Sequence, residues 1–193
     1  ITKDESIELN IKDINELYSR AFLNLRTDEN INDPKLKYNK EIVHRPYPSA
    51  GNIHELRYFN LALNGERNEN IILYEFSPST GLLIKKQLSN SNASYLFSFA
   101  KAAWQTKDIP RYILLIVSEF TLISYKYKNI AYRLSLLNTG CALSSFYKAC
   151  SSMQIGCCAI GTGPSNIILD LLKEDRYRLV PMLEVGFGSI RKG

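Results

Sequence analysis

The stretch Arg111-Tyr112-Ile113-Leu114-Leu115-Ile116-Val117-Ser118 is apolar without a break from Tyr112 to Val117. Successive side chains of a strand point to opposite faces, so a run with no polar break predicts a strand buried on both sides. It is far shorter than the roughly 20 residues that cross a bilayer. The fold must therefore supply apolar cover above and below this segment.

Working outward, residues 57–63 and 71–76 are apolar and aromatic runs separated by Asn64-Gly65, and residues 82–84 follow the turn Ser77-Pro78-Ser79-Thr80-Gly81. These predict strands with hairpin punctuation. Ile14, Leu17, Tyr18, Ala21, Phe22 and Leu25 recur at helical spacing within residues 12–25, residues 94–104 predict another helix, and the polar residues 27–40 predict a connector. Residues 132–153 lack proline and carry Leu136, Leu137, Cys141, Leu143, Ala149 and Cys150 with few charges, which predicts a long helix apolar nearly all round, hence buried, ending at Gly156. Residues 157–160 predict a short strand, Ser165 an N-cap for a helix over 166–173, and residues 179–186 a last strand. Strands mixed with helices around a central buried one predict α+β: one domain over residues 1–193, a central, mostly antiparallel sheet flanked by helices, and a long buried helix.

At 193 residues, 45% hydrophobic and 22% charged, the chain has an ordinary globular composition. Its net charge of +5 is scattered rather than gathered into runs, which argues against a nucleic-acid partner. Cys141, Cys150, Cys157 and Cys158 form no C-x-x-C pair and have no histidine at ligand spacing, so no metal is expected. Cys157 and Cys158 sit in an apolar run and read as core thiols of a reducing, cytoplasmic protein. There is no secretory pattern, and no membrane association is expected; the chain opens on Ile1 rather than Met, which leaves room for residues upstream.

The candidate site begins with His44-Arg45-Pro46-Tyr47-Pro48-Ser49-Ala50-Gly51-Asn52. Its prolines fix their own φ and hold the preceding residues extended, and Ser49-Ala50-Gly51 then leaves bare backbone that a flat or anionic ligand could approach. His44 and His54 lie without a third ligand and read as structural or surface histidines. Lys126 and Tyr127, within Tyr125-Lys126-Tyr127-Lys128, follow the buried strand; a strand would send them to opposite faces, so a shared role requires this segment to leave strand geometry. The bland alternative is a solvated Lys/Tyr strand edge. No G-x-S-x-G, Walker loop or H-E-x-x-H is present, and Gly161-x-Gly163 lacks the third glycine of a dinucleotide fingerprint.

Arg45-Pro46-Tyr47-Pro48-Ser49-Ala50-Gly51, then Lys126-Tyr127 ahead of Ala131-Tyr132-Arg133, Thr139-Gly140 in a long helix, Gln154-Ile155-Gly156-Cys157-Cys158-Ala159-Ile160-Gly161, and Pro181-Met182-Leu183-Glu184-Val185-Gly186 together resemble the SagB-type azoline dehydrogenases of the nitroreductase superfamily. The order and approximate spacing match over residues 42–188. The chain departs from that pattern at Gly51-Asn52-Ile53-His54-Glu55, where the family continues Gly-Ala-Leu-Tyr-Pro, and at Ala131, where the family has glycine; Asn52 is closer to ordinary nitroreductases. The Arg-x-Ser-x-Arg segment that holds the flavin phosphate in many relatives is absent.

The resemblance implies a nitroreductase-like fold, a homodimer, and one FMN at the interface of its subunits. It also implies oxidation of thiazoline or oxazoline rings to thiazoles or oxazoles in a peptide cyclised by a separate cyclodehydratase, or on an assembly-line partner. Such a reaction removes a proton from the ring carbon beside the carbonyl and a hydride from the adjacent methylene, so the site needs a base and donors facing the flavin. Lys126 and Tyr127 are the implied acid/base pair; a lysine working as a base must fall from about 10.4 toward 7 or 8. Pro48, Ser49, Ala50, Gly51 and Asn52 would lie on one side of the flavin and Ile160 and Gly161 on the other, with Arg45, Arg133 and Arg191 as phosphate ligands, each charged hydrogen bond worth about 1.5–3 kcal/mol. The alternatives are an NAD(P)H-dependent nitro or quinone reductase of the same fold and a non-catalytic scaffold subunit of a cyclodehydratase complex.

Overall fold

The computed structural model describes residues 9–31, 40–64, 70–88, 93–104, 109–161, 164–175 and 177–189. In chain order they form α1 (Ile11–Phe22), β1 (Arg26–Ile31), β2 (Lys40–His44), β3 (Leu56–Asn64), β4 (Asn70–Ser77), β5 (Leu82–Lys86), α2 (Ala93–Trp104), β6 (Tyr112–Glu119), α3 (Phe120–Tyr127), α4 (Ala131–Ser152), β7 (Ile155–Ile160), α5 (Ser165–Leu172) and β8 (Leu179–Ser189). Six strands make one sheet in the order β5-β4-β3-β6-β8-β7, every neighbouring pair antiparallel.

The unbroken apolar run is β6, which lies between β3 and β8 in the interior of the sheet. Its side chains divide by parity. Tyr112, Leu114 and Ile116 enter a core shared with Leu17, Tyr18 and Phe22 of α1 and with Ala142, Phe146 and Ala149 of α4. Ile113, Leu115 and Val117 enter the opposite core with Leu96 and Phe97 of α2 and Ile168 and Leu171 of α5. Each large apolar side chain so buried contributes about 1.5–3 kcal/mol, before the entropy of ordering it. In the first core the Phe22 ring stacks on Tyr58 at 3.8 Å and lies parallel to Phe146 at 5.8 Å, which joins α1, β3 and α4 through one aromatic column. The start of α1 is fixed locally by a capping box: Asn10 Oδ1 accepts from the amides of Lys12 and Asp13, and Asp13 Oδ2 accepts from the Asn10 amide.

Several expectations need correction. The two ends of the supposed connector over 27–40, with the residues flanking them, pair as an antiparallel two-stranded ribbon of residues 26–31 and 40–44. The ribbon stands apart from the main sheet and none of its described side chains is fully buried, which removes the alternation that would mark it as strand. Helix α4 is not buried all round: Ala131, Ser135, Asn138, Thr139, Ala142, Ser145 and Phe146 form its inner face, whereas Tyr132, Leu136 and Leu137 are exposed. It ends earlier than Gly156, at Ser152, with Gln154 taking the left-handed conformation (φ 55°). Ser165 is the first residue of α5, and the N-cap position falls instead on Pro164, which has no side-chain donor or acceptor to cap with. The turn at Asn64-Gly65 reaches residues 65–69, which lie outside the described residues. No described helix is long and apolar enough to cross a membrane, and the described residues contain no group of His, Cys, Asp or Glu that could hold a metal ion.

The adjacent cysteines also divide by strand parity, so they are not both core residues. Cys157 packs against the first core while Cys158 is exposed on β7, an outermost strand of the sheet. The Cys150 thiol donates toward Cys157; that bond, with burial, pushes Cys150 up, and it holds Cys157 down against the opposing effect of burial. Brief alkylation of the native protein followed by peptide mass mapping should label Cys158 and spare Cys150, which is 1% exposed. Labelling of Cys150 at the same rate would contradict this packing.

Candidate functional site

The register Leu56↔Ser118 sets the start of β3 beside the end of β6, so the chain entering β3 meets the chain leaving β6. The junction is held by the Glu119 amide, which donates to the Glu55 carbonyl at 2.9 Å. α3 begins one residue later, and its eight residues span about 12 Å, enough to carry its C-terminal end back over the loop before β3.

There the expected residues meet. A Cβ built on Gly51 would lie 2.6 Å from Lys126 Nζ and inside contact distance of Tyr127 Oη. Residues some 75 positions apart in sequence thus converge on one bare point of backbone. Gly51 also has φ 57°, a left-handed value that glycine takes without cost. The adjacency of Lys126 and Tyr127, which a strand would have forbidden, is possible because the segment is the last turn of a helix. The strand-edge alternative for this segment is therefore excluded. Lys126 is exposed, Tyr127 is half-buried, and the ammonium sits 5.3 Å from the centre of the Tyr127 ring, a cation–π contact.

The rest of the loop is anchored from beneath. The Ala50 amide donates to Asn138 Oδ1 at 2.9 Å. Ser49 Oγ accepts from the His54 amide at 3.0 Å and from Asn138 Nδ2 at 3.3 Å, and lies 3.4 Å from Glu55 Oε2, so this hydroxyl is turned into the protein. Asn52 bridges to β2, accepting from the Val43 amide at 2.9 Å and donating to the Val43 carbonyl at 2.6 Å. His54 Nε2 lies 3.0 Å from that same carbonyl, and His44 pairs with Asp28 at 3.0 Å; both histidines are structural, as expected. Pro48 is exposed.

The arginines separate. Arg45 points inward, giving Nε to Asn24 at 2.9 Å and Nη1 to the Tyr47 hydroxyl at 3.0 Å, beside the buried phenol pair Tyr47–Tyr58. Arg133 is exposed in the first turn of α4, and Arg191 lies outside the described residues. Ile160 is buried, and Gly161 has nothing within 4 Å of where its Cβ would be. Both stand at the end of β7, three strands from β3. At about 4.8 Å per strand, β7 and β3 lie some 14 Å apart across the sheet. Gly186, part of the same sequence resemblance, serves packing: the Trp104 ring occupies the space its side chain would need.

Sequence reasoning missed the buried polar cluster below the loop, formed by Glu55, Ser118, Ser135 and Asn138. Its signal was present as polar residues at helical spacing (Ser135, Asn138, Thr139) on the stripe of α4 that continues as Ala142 and Phe146.

No curated protein sequence is significantly similar to the chain. Among solved structures it resembles a chain of the Escherichia coli microcin synthetase McbBCD complex with truncated pro-MccB17 bound, with TM-score 0.72 and 19% identity, covering 98% of this chain and 67% of that one. It resembles a candidate nitroreductase of Anabaena variabilis with TM-score 0.75 and 17% identity over 91% of its own length, and spans only 34% of that protein. An FMN-dependent nitroreductase of Clostridium difficile matches with TM-score 0.51 and 9% identity over 99% of this chain and 82% of that one. These likenesses establish a shared fold, and the Nitroreductase family model matches residues 13–187. A match running from α1 to the end of the sheet embraces every element that builds the loop and helix just described, and the chain belongs to the nitroreductase family.

Proposed function

We propose that this protein is an FMN-dependent dehydrogenase that oxidises thiazoline or oxazoline rings of a modified peptide to the aromatic azoles. The nitroreductase family uses FMN, and the residues here fit it. The bare backbone of Gly51 beside the Lys126 ammonium suits a flat ligand that gathers negative charge on reduction, Gly161 offers a second bare face, and Arg133 is an exposed cation for the phosphate. Arg45, with two donor groups engaged inside the protein, is a weaker phosphate ligand than Arg133. When bound, FMN supplies the hydride acceptor. The chain supplies the rest: Lys126 and Tyr127 hold and move the proton of the ring carbon, and the Ser49–Gly51 loop fixes the plane against which the ring lies.

The single observation that carries this reading is the meeting of Lys126, Tyr127 and Gly51 at one point. A proton-transfer pair over the loop expected to face the flavin is what ring oxidation needs. The peptide-bound microcin synthetase, a complex of several chains, supports a peptide substrate and partner subunits. The reading includes a homodimer, in which Gly51 of one copy and Gly161 of the other flank one flavin. The exposed Leu122, Ile130, Tyr132, Leu136 and Leu137 of the α3–α4 region offer the apolar face for that contact. The nitro or quinone reductase reading loses the support Asn52 gave it, since that side chain is spent on holding β2. The protein acts in the cytoplasm, where free thiols such as these persist.

Gly51→Ala should strip flavin from the protein, because the added methyl meets Lys126 and Tyr127 and a left-handed φ costs about 1–2 kcal/mol outside glycine. Flavin absorbance per purified chain measures this, and wild-type occupancy would show the loop to be only a turn. Lys126→Ala and Tyr127→Phe should each retain FMN and lose azole formation on a pre-cyclised peptide by roughly 10²–10⁴, the usual cost of a positioned acid or base. Lys128→Ala, which changes a neighbouring exposed cation, should turn over normally. Near-normal azole formation by both flavin-loaded variants would return weight to the nitro or quinone reductase.

A further inference from the structure

Glu55 is a carboxylate 1% exposed at the end of the sheet, and its hydrogen-bond partners are uncharged. Ser135 Oγ lies 3.1 Å from Oε1, Asn138 Nδ2 lies 3.0 and 3.1 Å from the two oxygens, and Ser49 Oγ lies 3.4 Å from Oε2. A carboxylate only accepts, so it dictates the direction of every bond around it. Ser135 Oγ is placed to donate to Ser118 Oγ at 2.7 Å as well, so its one proton is shared between Glu55 and Ser118. Asn138 has to turn its NH₂ toward Glu55, and that leaves its carbonyl oxygen facing the Ala50 amide at 2.9 Å. A flipped Asn138 would set its carbonyl against the carboxylate and its NH₂ against the Ala50 N–H, two mismatches at once. The same residue reaches the catalytic helix through its main chain, since the Glu55 carbonyl accepts from the Glu119 amide just before α3.

We propose that Glu55 and Asn138 form a positioning pair: the buried carboxylate orients the Asn138 amide, and Asn138 holds the Ala50-Gly51 backbone in the shape that receives the flavin under Lys126 and Tyr127. The inference rests on the reading above that this loop faces FMN. It goes beyond that reading by locating the loop's conformation in a donor–acceptor polarity rather than in the loop's own sequence.

The test reverses the polarity. Glu55→Gln puts an NH₂ where only an acceptor fits, and Asn138→Asp sets two carboxylates together; each should raise the FMN dissociation constant about tenfold or more, read by flavin fluorescence quenching on the full purified chain. In the double variant Glu55→Gln/Asn138→Asp, the new amide at position 55 donates and the new carboxylate at position 138 still accepts the Ala50 N–H, so affinity should return to within about threefold of wild type. A network that merely stabilises the fold would show the loss and rescue in melting temperature while the folded variants kept wild-type FMN affinity. Wild-type affinity in either single variant, or a double variant no better than the worse single, overturns the pair. If the single variants do not fold by circular dichroism, Asn138→Ala keeps the Ser135 bond to Glu55 while removing both the acceptor of Ala50 and the amide donor to Glu55 and Ser49; it should show the same loss, and an unchanged constant overturns the proposal. A wild-type chain that takes no FMN overturns the flavin reading and this pair with it, whereas a wild type that binds FMN beside unaffected variants overturns the pair alone.

Discussion

Two-sided burial of β6 is the constraint from which the remaining architecture follows. A strand apolar on both faces cannot stand at a sheet edge or face water, so it takes β3 and β8 as neighbours and requires α1 and α4 on one side and α2 and α5 on the other. Once β3 is paired to it through Leu56↔Ser118, the loop before β3 and the helix after β6 are obliged to share one corner. The site is a by-product of that register. A slip of one residue would turn the apolar set of β3 away from its core and separate Gly51 from Lys126 together.

The loop at residues 45–52 was legible because proline and glycine have local conformational consequences that survive folding. The sheet was legible because hydrophobic runs and turns are local too. What was not legible was whatever depended on the partner across space. Residues 27–40 look like a connector because the strands at its ends pair with each other on an exposed ribbon, with little apolar alternation to betray them. Leu136 and Leu137 look like core because composition cannot tell a face covered within the chain from one left outside it. Cys158 differs from Cys157 only in strand parity.

The Lys126-Tyr127 pair illustrates the boundary between pattern and physics. As a strand these residues would point apart; as the end of α3 both reach Gly51, and nothing in Phe120–Tyr127 taken alone compels helix over strand. The choice is made by tertiary context: β6 runs out of sheet partners at Glu119, where Arg178 closes on its carboxylate at 2.8 Å and the Glu55 carbonyl accepts its amide. The chain must turn, and a helix satisfies its backbone donors and acceptors without a neighbouring strand. Glu55 and Asn138 escaped notice for a related reason, since a buried acceptor and its amide partner acquire meaning only when the helix and the loop are brought together.

The central claim is that an azoline ring held at the corner formed by Gly51, Lys126 and Tyr127 gives its hydride to FMN and its proton to the Lys126–Tyr127 pair. Anaerobic mixing of the flavin-loaded protein with a peptide already carrying thiazoline or oxazoline rings tests it most directly, with flavin bleaching followed by absorbance and ring oxidation by mass spectrometry. The account predicts bleaching in step with the loss of one pair of hydrogens per ring, without added NAD(P)H. Flavin that stays oxidised with the peptide and bleaches with NAD(P)H would contradict it.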